Sequence, residues 1–111
     1  MPWQATHRFA RISPRKARLV ADLIRGRRAD EALDVLRFTK KRASVMVSKV
    51  LRSAIANASE QEADATALYV QEARVDEGPR IERYRLKDRG RVHPYQRRTS
   101  HIVVTVEQGA A

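Results

Sequence analysis

The fold is decided by residues 66–106, which read TALYVQEARVDEGPRIERYRLKDRGRVHPYQRRTSHIVVTV. Apolar side chains recur at every second position near both ends of this stretch, from about Thr66 and over Ile102–Val106, and this pattern is typical of strands. The first alternation changes phase between Val70 and Ala73, which indicates a β-bulge. The sequence therefore predicts a bulged first strand and a half-buried second one.

The segment between these strands is long, basic and poor in core-forming side chains. Gly78-Pro79 ends the first strand, and residues 80–100 contain one glycine, Gly90, near their middle. The simplest geometry is a single hairpin whose arms of about nine residues, roughly 30 Å long, continue past the core. We expect its tip around Lys87–His93. Because an isolated two-stranded ribbon is marginal in water, this hairpin should need an anionic surrounding.

One strand and two helices are predicted ahead of this stretch. Weak alternation indicates a short strand over residues 5–12. Ser13-Pro14 puts a hydroxyl cap before a proline at the first helical position, and Gly26 is placed to end that helix. A second short helix is predicted from about Asp30 to Phe38, with its inward side chains at Ala32, Leu33 and Leu36.

A third and longer helix is predicted after Thr39, which we expect to cap it. Its core-facing stripe, widened by two flanking side chains, consists of Ala43, Val47, Val50, Leu51, Ala54 and Ala58, with Met46 and Ile55. The elements together predict one α+β domain of 111 residues. We place its globular part at about 1–82 and 98–108, and the hairpin at about 83–97.

The charge of the chain predicts a polyanionic partner. Lys and Arg number 23 against 13 Asp and Glu, which gives a net charge of +10 and a pI near 11.0. Basic blocks at 1–28, 37–52 and 80–98 are separated by acidic blocks at 29–36 and 53–79. We interpret the blocks as partner-facing and solvent-facing sides of one surface. Nucleic acid is the leading candidate, and an anionic membrane surface is the weaker alternative.

Other classes of protein are disfavoured by what the chain contains. Cysteine is absent, which excludes a disulfide scaffold, a cysteine-ligated zinc site and a thiol nucleophile. No stretch approaches the roughly 18 apolar residues of a membrane span. The start, Met1-Pro2-Trp3-Gln4, does not have the apolar region of a signal peptide, so we expect the protein in the cytoplasm.

Two helix starts carry cations where the helix dipole favours anions. These are Arg15, Lys16 and Arg18 after Ser13, and Lys40, Lys41 and Arg42 after Thr39. Each such cation is unfavourable by a few tenths of a kcal/mol, roughly, unless an anion is bound there. Backbone amides and cationic side chains can hold a phosphate together at such a position. The repeated pattern predicts phosphate contacts at both helix starts.

Six motifs in register give the chain a family resemblance. They are SPRKARLV (13–20), IRG (24–26), SAIANA (53–58), DEGP (76–79), RGR (89–91) and RRTSHI (97–102). With these motifs the chain resembles the bacterial large-subunit ribosomal protein L twenty-two over nearly its whole length. The resemblance implies three helices packed on a small three-stranded antiparallel sheet, with a long protruding basic β-hairpin.

The same resemblance implies a structural function without catalysis. Members of the family bind large-subunit ribosomal RNA, assist subunit assembly and line the nascent-peptide exit tunnel with the hairpin. The implied partners are that RNA, neighbouring large-subunit proteins and the nascent polypeptide, on a cytoplasmic ribosome. No cofactor, metal, membrane or small-molecule substrate is expected.

The residues expected to carry these contacts follow from the charge blocks and the matched motifs. The expected RNA-binding residues are Arg11, Arg15, Lys16, Arg18, Arg25, Lys40, Lys41, Arg42, Lys49, Arg80, Arg83, Arg85, Lys87, Arg89, Arg91, Arg97, Arg98, Ser100 and His101. The expected hairpin tip is Lys87, Asp88, Arg89, Gly90, Arg91 and Val92. The chain departs from the family's usual Pro, Ala and Ala at Leu86, Asp88 and Val92, which puts an acid near the tip.

An enzyme is disfavoured, and a DNA-binding or other RNA-binding regulatory protein is the main alternative. His7, His93 and His101 are far apart and have no carboxylate at metal-ligand spacing. The first two helices resemble a loose helix-turn-helix, but the second would expose three acids that phosphates repel. Two interpretations of the hairpin tyrosines, Tyr84 and Tyr95, stay open: stacking on bases, or packing across the strands.

Overall fold

The computed structural model describes residues 2–86 and 88–109, with the backbone alone at Asp88. Its helices and strands are β1 (Pro2–Ala10), α1 (Pro14–Ile24), α2 (Ala29–Phe38), α3 (Arg42–Glu60), β2 (Leu68–Glu77), β3 (Ile81–Leu86), β4 (Val92–Arg97) and β5 (Ser100–Gln108). Short 3₁₀ turns lie at Ala65–Ala67 and Asp88–Gly90. This is an α+β protein, as the sequence predicts. The expected contact at Lys87 lies outside the described residues.

An antiparallel sheet with the order β1-β5-β2 forms the centre of the fold. The predicted bulge in β2 is confirmed, because the register against β5 shifts between Val70 and Glu72. The prediction of a half-buried β5 is wrong: Val103 and Thr105, on the face away from the helices, are only 4% and 7% exposed. They are covered because β5 is the central strand, where side chains of both neighbouring strands flank each position.

The three helices pack over one face of this sheet and close the core. All six predicted stripe positions of α3 are buried, from Ala43 to Ala58. The Ser13 hydroxyl accepts the Lys16 amide and caps α1, as predicted, at 3.4 Å. Gly26 follows α1 with φ +82°, a conformation that favours glycine. The 3.6-residue periodicity thus defines the helical layer correctly.

The predicted cap of α3 is wrong. Lys41 occupies the N-cap position without a capping side chain, and Thr39 instead ends α2, where its hydroxyl donates to Val35 O at 2.6 Å. The connection is held by Ser44, whose buried hydroxyl lies 2.5 Å from Lys41 O and 3.1 Å from Thr39 O. Lys40, Lys41 and Arg42 still lead into the first turn of α3.

The hairpin forms a separate two-stranded sheet. Its ladder runs from the pair Ile81–Arg97 to the pair Leu86–Val92, so each arm has six paired residues rather than the nine expected. Residues 78–80 and 98–99 interrupt both strands, and the arms therefore do not continue directly from β2 and β5. The radius of gyration is 17.0 Å. A compact chain of this length has about 13 Å, which shows how elongated the molecule is.

Strand β1 begins and ends earlier than predicted and contains an irregularity near its end. His7 pairs with Ile102 and Ala10 with Ser100, so two residues, Arg8 and Phe9, face the single residue between those partners. Phe9 takes φ +60°, in the left-handed region. For a bulky side chain this conformation costs on the order of 1–2 kcal/mol.

Candidate nucleic-acid interface

The two cationic helix starts and the base of the hairpin converge on one cleft of about 640 Å³, named here the basic cleft. Every charged residue among the described residues that line it is basic. The lining consists of Arg11, Ile12, Ser13, Lys16, Leu19, Lys41, Arg42, Ala43, Ile81, Arg83, Arg97, Arg98 and Thr99. Seven cations around one depression provide a strong site for a phosphate chain.

Short-range contacts fix the walls of the basic cleft. The Arg42 guanidinium donates to Arg11 O at 2.9 Å, which ties the start of α3 to the loop before α1. At the hairpin base, Thr99 O accepts the Gly78 amide at 2.9 Å, and the Thr99 hydroxyl donates to Pro79 O at 2.6 Å. A Cβ atom at residue 78 would collide with Thr99, so this closure requires glycine. The cations are thereby held close together by the fold itself.

The helix dipoles add to the positive potential of the cleft. Helix α2 has the usual arrangement, with Asp30 and Glu31 in its first turn and Arg37 in its last. Helices α1 and α3 have no acid in their first turns, and their N-terminal residues line the cleft. The two helices that break the dipole rule are therefore the two that point their positive ends at the same place. An anion bound there would be favoured by both dipoles and by the side chains.

A second basic groove lies between α2 and α3, next to the basic cleft. Two expected contacts, Lys40 and Lys49, line this groove together with Arg37 and Arg52. These two arginines are not among the RNA-binding residues expected from the sequence. Arg52 lies one helical turn after Lys49, and this i,i+3 spacing is the signal that identifies it.

The hairpin has one basic face and one non-basic face. Its register puts Ile81, Arg83 and Arg85 opposite Arg97, Tyr95 and His93, and the alternate residues on the other side. The basic face is continuous with the basic cleft, because Ile81, Arg83 and Arg97 line both. The non-basic face consists of Glu82, Tyr84, Leu86, Val92, Pro94 and Gln96. The tip residues Arg89 and Arg91 are exposed.

The two hairpin tyrosines do not pack on each other. Tyr95 pairs with Arg83, and the Arg85 guanidinium carbon lies 5.0 Å from its ring centroid, whereas Tyr84 pairs with Pro94 on the opposite face. The cross-strand interpretation is therefore confirmed for Tyr95, which packs on an arginine of the opposite strand. The Tyr95 ring contacts an arginine of the basic face, whereas the Tyr84 side chain is 69% exposed.

Several residues expected to bind RNA make contacts inside the protein. Ser100 is 0% exposed and its hydroxyl donates to Ile12 O at 2.6 Å, so the expectation of direct contact is corrected to support of the cleft loop. Arg18 donates to Val75 O at 3.0 and 3.2 Å. Arg25 reaches Ala73 O at 2.5 Å and also pairs with Asp22 at 2.9 Å. These two arginines bind α1 and its C-terminus to strand β2.

The outer face of the sheet has a different electrostatic character. Arg74 is paired there with Glu72 and Asp76, and hydrogen bonds to these carboxylates raise its pKa. Tyr69 donates to Glu107 at 3.2 Å. Partial burial and the negative charge of Glu107 raise the pKa of this tyrosine. The charge of Arg74 is thus neutralised within the protein, in contrast to the cations of the basic cleft.

The DNA-binding alternative is disfavoured by the charge of the second helix. Asp30, Glu31 and Asp34 are exposed on α2, the would-be recognition helix of a DNA-binding regulator. Within residues 2–86 and 88–109, the side chains of His, Asp and Glu form no group of three that could hold a metal ion. Among the same residues, no helix is both long and apolar enough to span a bilayer.

Comparison with known proteins gives one consistent result. The family model for "Ribosomal protein L22p/L17e" matches residues 5–107. The large ribosomal subunit protein uL22 of Solibacter usitatus is 50% identical over 113 residues, covering 100% of both chains. The protein of the same name from Rubrobacter xylanophilus is 53% identical over 102 residues, 91% of this chain and 80% of its own. That from Carboxydothermus hydrogenoformans is 50% identical over 109 residues, 97% and 96%.

Proposed function

The chain belongs to the ribosomal protein L22p/L17e family, and from that premise we propose that it is a structural, non-catalytic component of the large ribosomal subunit. It binds large-subunit ribosomal RNA and acts in the cytoplasm as part of the ribosome. The observation that carries this proposal is the basic cleft, in which seven cations and two helix N-termini meet without an acid among the described lining residues. Phosphates of folded RNA would neutralise this surface.

The hairpin lines the nascent-peptide exit tunnel with its two faces in different roles. The basic face, continuous with the cleft, lies against ribosomal RNA. The non-basic face, which carries the exposed Tyr84, Leu86 and Val92, faces the lumen and the nascent polypeptide. A separate two-stranded ribbon with this division of charge is best explained by RNA on one side and an open space on the other.

A role in subunit assembly follows from the same arrangement. The cleft, the groove between α2 and α3, and the hairpin can each hold a different segment of RNA. A rigid protein that binds several segments at once lowers the entropy cost of folding the RNA around it. Neighbouring large-subunit proteins are the other expected partners, by family.

The RNA-binding part is tested by removing three cations from the cleft. Substituting Lys16, Lys41 and Arg98 with Gln should reduce the slope of log affinity against log salt by about 2–3, since each phosphate contact contributes about 0.7–0.9. The probe is large-subunit ribosomal RNA transcribed in vitro, in a filter-binding titration. A parent slope near −1 would contradict the proposal.

The matched control removes three arginines that are engaged within the protein. Arg27 donates to Leu23 O at 2.7 Å, Arg28 pairs with Asp30 at 3.6 Å, and Arg74 pairs with two carboxylates. Changing these three to Gln removes the same charge but should reduce the slope by less than 1. An equal reduction in both variants would show that net charge, and not the cleft, determines binding.

The tunnel-lining part is tested with single cysteines, because the chain has none of its own. Leu86→Cys, on the non-basic face, should form a crosslink with a cysteine-bearing nascent chain stalled on the ribosome. Arg85→Cys, the adjacent residue on the basic face, is the matched control and should not. A crosslink from Arg85→Cys alone would reverse the assignment of the faces.

A further inference from the structure

Phe9 combines backbone strain with exposure of an aromatic ring. Its φ of +60° lies in the region that favours glycine, at the β1 irregularity where two residues face one. Burial of the ring in the core would explain such strain, but Phe9 is 56% exposed. Strain that gains no core contact points to a function for the exposed ring.

Neighbouring side chains hold the ring in this exposed position. The Phe9 amide donates to His101 Nδ1 at 3.1 Å. The two rings meet edge to face, with centroids 5.0 Å apart and an interplanar angle of 85°. The Arg8 guanidinium carbon lies 5.5 Å from the Phe9 centroid. Phe9 is therefore orientated before any ligand arrives.

Phe9 lies on the segment of chain that leads into the basic cleft. Arg11, two residues after Phe9, lines the cleft. The next residue, Ile12, is held in place because its carbonyl accepts a hydrogen bond from the Ser100 hydroxyl. His101 follows Ser100 directly in β5. A flat aromatic surface next to a phosphate-binding surface is the arrangement by which proteins hold single-stranded nucleotides.

We infer that Phe9 is a stacking platform for an unpaired base of the RNA whose backbone lies in the basic cleft. Arg8, whose guanidinium carbon lies over the ring, is close enough to contact the same nucleotide. The base must be unpaired, because a base inside a duplex offers no free face for the ring. This inference rests on the proposed RNA binding and adds the class of nucleotide that the site takes.

The test compares Phe9→Gly with Phe9→Tyr in the full-length chain, titrated against in vitro-transcribed large-subunit ribosomal RNA. Glycine removes the ring and suits the backbone, so affinity should fall about tenfold, the loss of one stacked base. The salt slope should stay that of the parent, because no phosphate contact is removed. Tyrosine keeps the ring and should bind within about twofold of the parent.

The outcomes separate this inference from the proposed function. If the parent binds with a steep salt slope and Phe9→Gly binds equally well, the stacking platform is wrong and the RNA-binding function stands. A parent without salt-dependent binding would overturn both. The melting temperature of Phe9→Gly should equal or exceed that of the parent. If it falls, Phe9→Asn decides, because Asn tolerates this conformation: a folded Asn variant with weaker binding supports the inference, and unfolding or parental affinity overturns it.

Discussion

Removing the hairpin should separate folding from RNA binding. The change joins Glu82 to Arg98 through a short glycine-containing turn and deletes residues 83–97. The closure at the hairpin base, between Gly78, Pro79 and Thr99, lies outside the deleted segment and is kept. Because β3 and β4 pack chiefly on each other, the helices and the three-stranded sheet lose few contacts.

The effect on stability should be small. No described residue of the deleted segment is buried, and Tyr95 is its one half-buried side chain among them. Replacing a loop of fifteen residues with about four reduces the entropy cost of closure by about 1 kcal/mol. The lost ladder belonged to an isolated ribbon that is marginal by itself. We expect a free energy of unfolding within about 1 kcal/mol of the parent, and a Tm within about 8 °C.

The effect on RNA binding should be large and of a defined size. The deletion lowers the net charge from +10 to +5. Three deleted arginines, Arg83, Arg85 and Arg97, lie on the basic face. At about 0.7–0.9 per phosphate contact, their loss should reduce the salt slope by about 2–3. The cleft keeps Arg11, Lys16 and the cations of α3, so binding should persist.

The assay is a thermal melt followed by a filter-binding titration over a range of salt concentrations. Incorporation of the variant into large subunits provides the third measurement, and we expect it to be retained. A variant that no longer folds would show that the arms belong to the core and that the division at residues 82 and 98 is wrong. A folded variant with the parent's salt slope would show that the basic face does not contact RNA.

Further predictions follow from single contacts. Arg15→Gln with Lys16→Gln should weaken rRNA binding and leave Tm unchanged or slightly raised, since unfavourable dipole contacts are removed. Arg18→Gln should lower Tm in a thermal melt, because it breaks the bonds to β2. Subtracting the absorbance titration of Tyr69→Phe from that of the parent isolates the ionisation of Tyr69. The midpoint of this difference should lie above the ordinary pKa of 10.0. Since the folded-state pKa of Tyr69 is raised, its contribution to stability is complete below pH 10 and is lost as the pH rises through the folded value.

Local periodicity was sufficient for most of the fold. The α3 stripe, the Ser13 cap and the bulge after Val70 depend on residues close together in the chain, and all three are confirmed. The prediction that Thr39 caps α3 was wrong because a threonine hydroxyl can bond either to an amide of the following helix or to a carbonyl of the preceding one. Thr39 bonds to the preceding helix, at Val35 O. The burial of Val103 was not predicted, because it depends on side chains of two strands that are distant in the sequence.

The candidate site could be predicted as a composition but not as an arrangement. Charge blocks identify the cations, whereas their convergence in one cleft depends on how α1, α3 and the hairpin pack. Arg18 and Arg25 look like RNA contacts in sequence, yet their guanidinium groups bind carbonyls 57 and 48 residues away. The two faces of the hairpin follow from a register set at the tip, which a sequence of scattered arginines does not specify.

As a member of this family, the chain should be a stable part of the large ribosomal subunit. The most direct measurement is sedimentation of ribosomes from cells that express a tagged copy, with the gradient run after a high-salt wash. We predict that the chain remains with the large subunit in a ratio near one to one, because many phosphate contacts and an enclosed hairpin hold it there. Recovery of all the chain in the free fraction, even at low salt, would show that it is not a stable part of the large subunit.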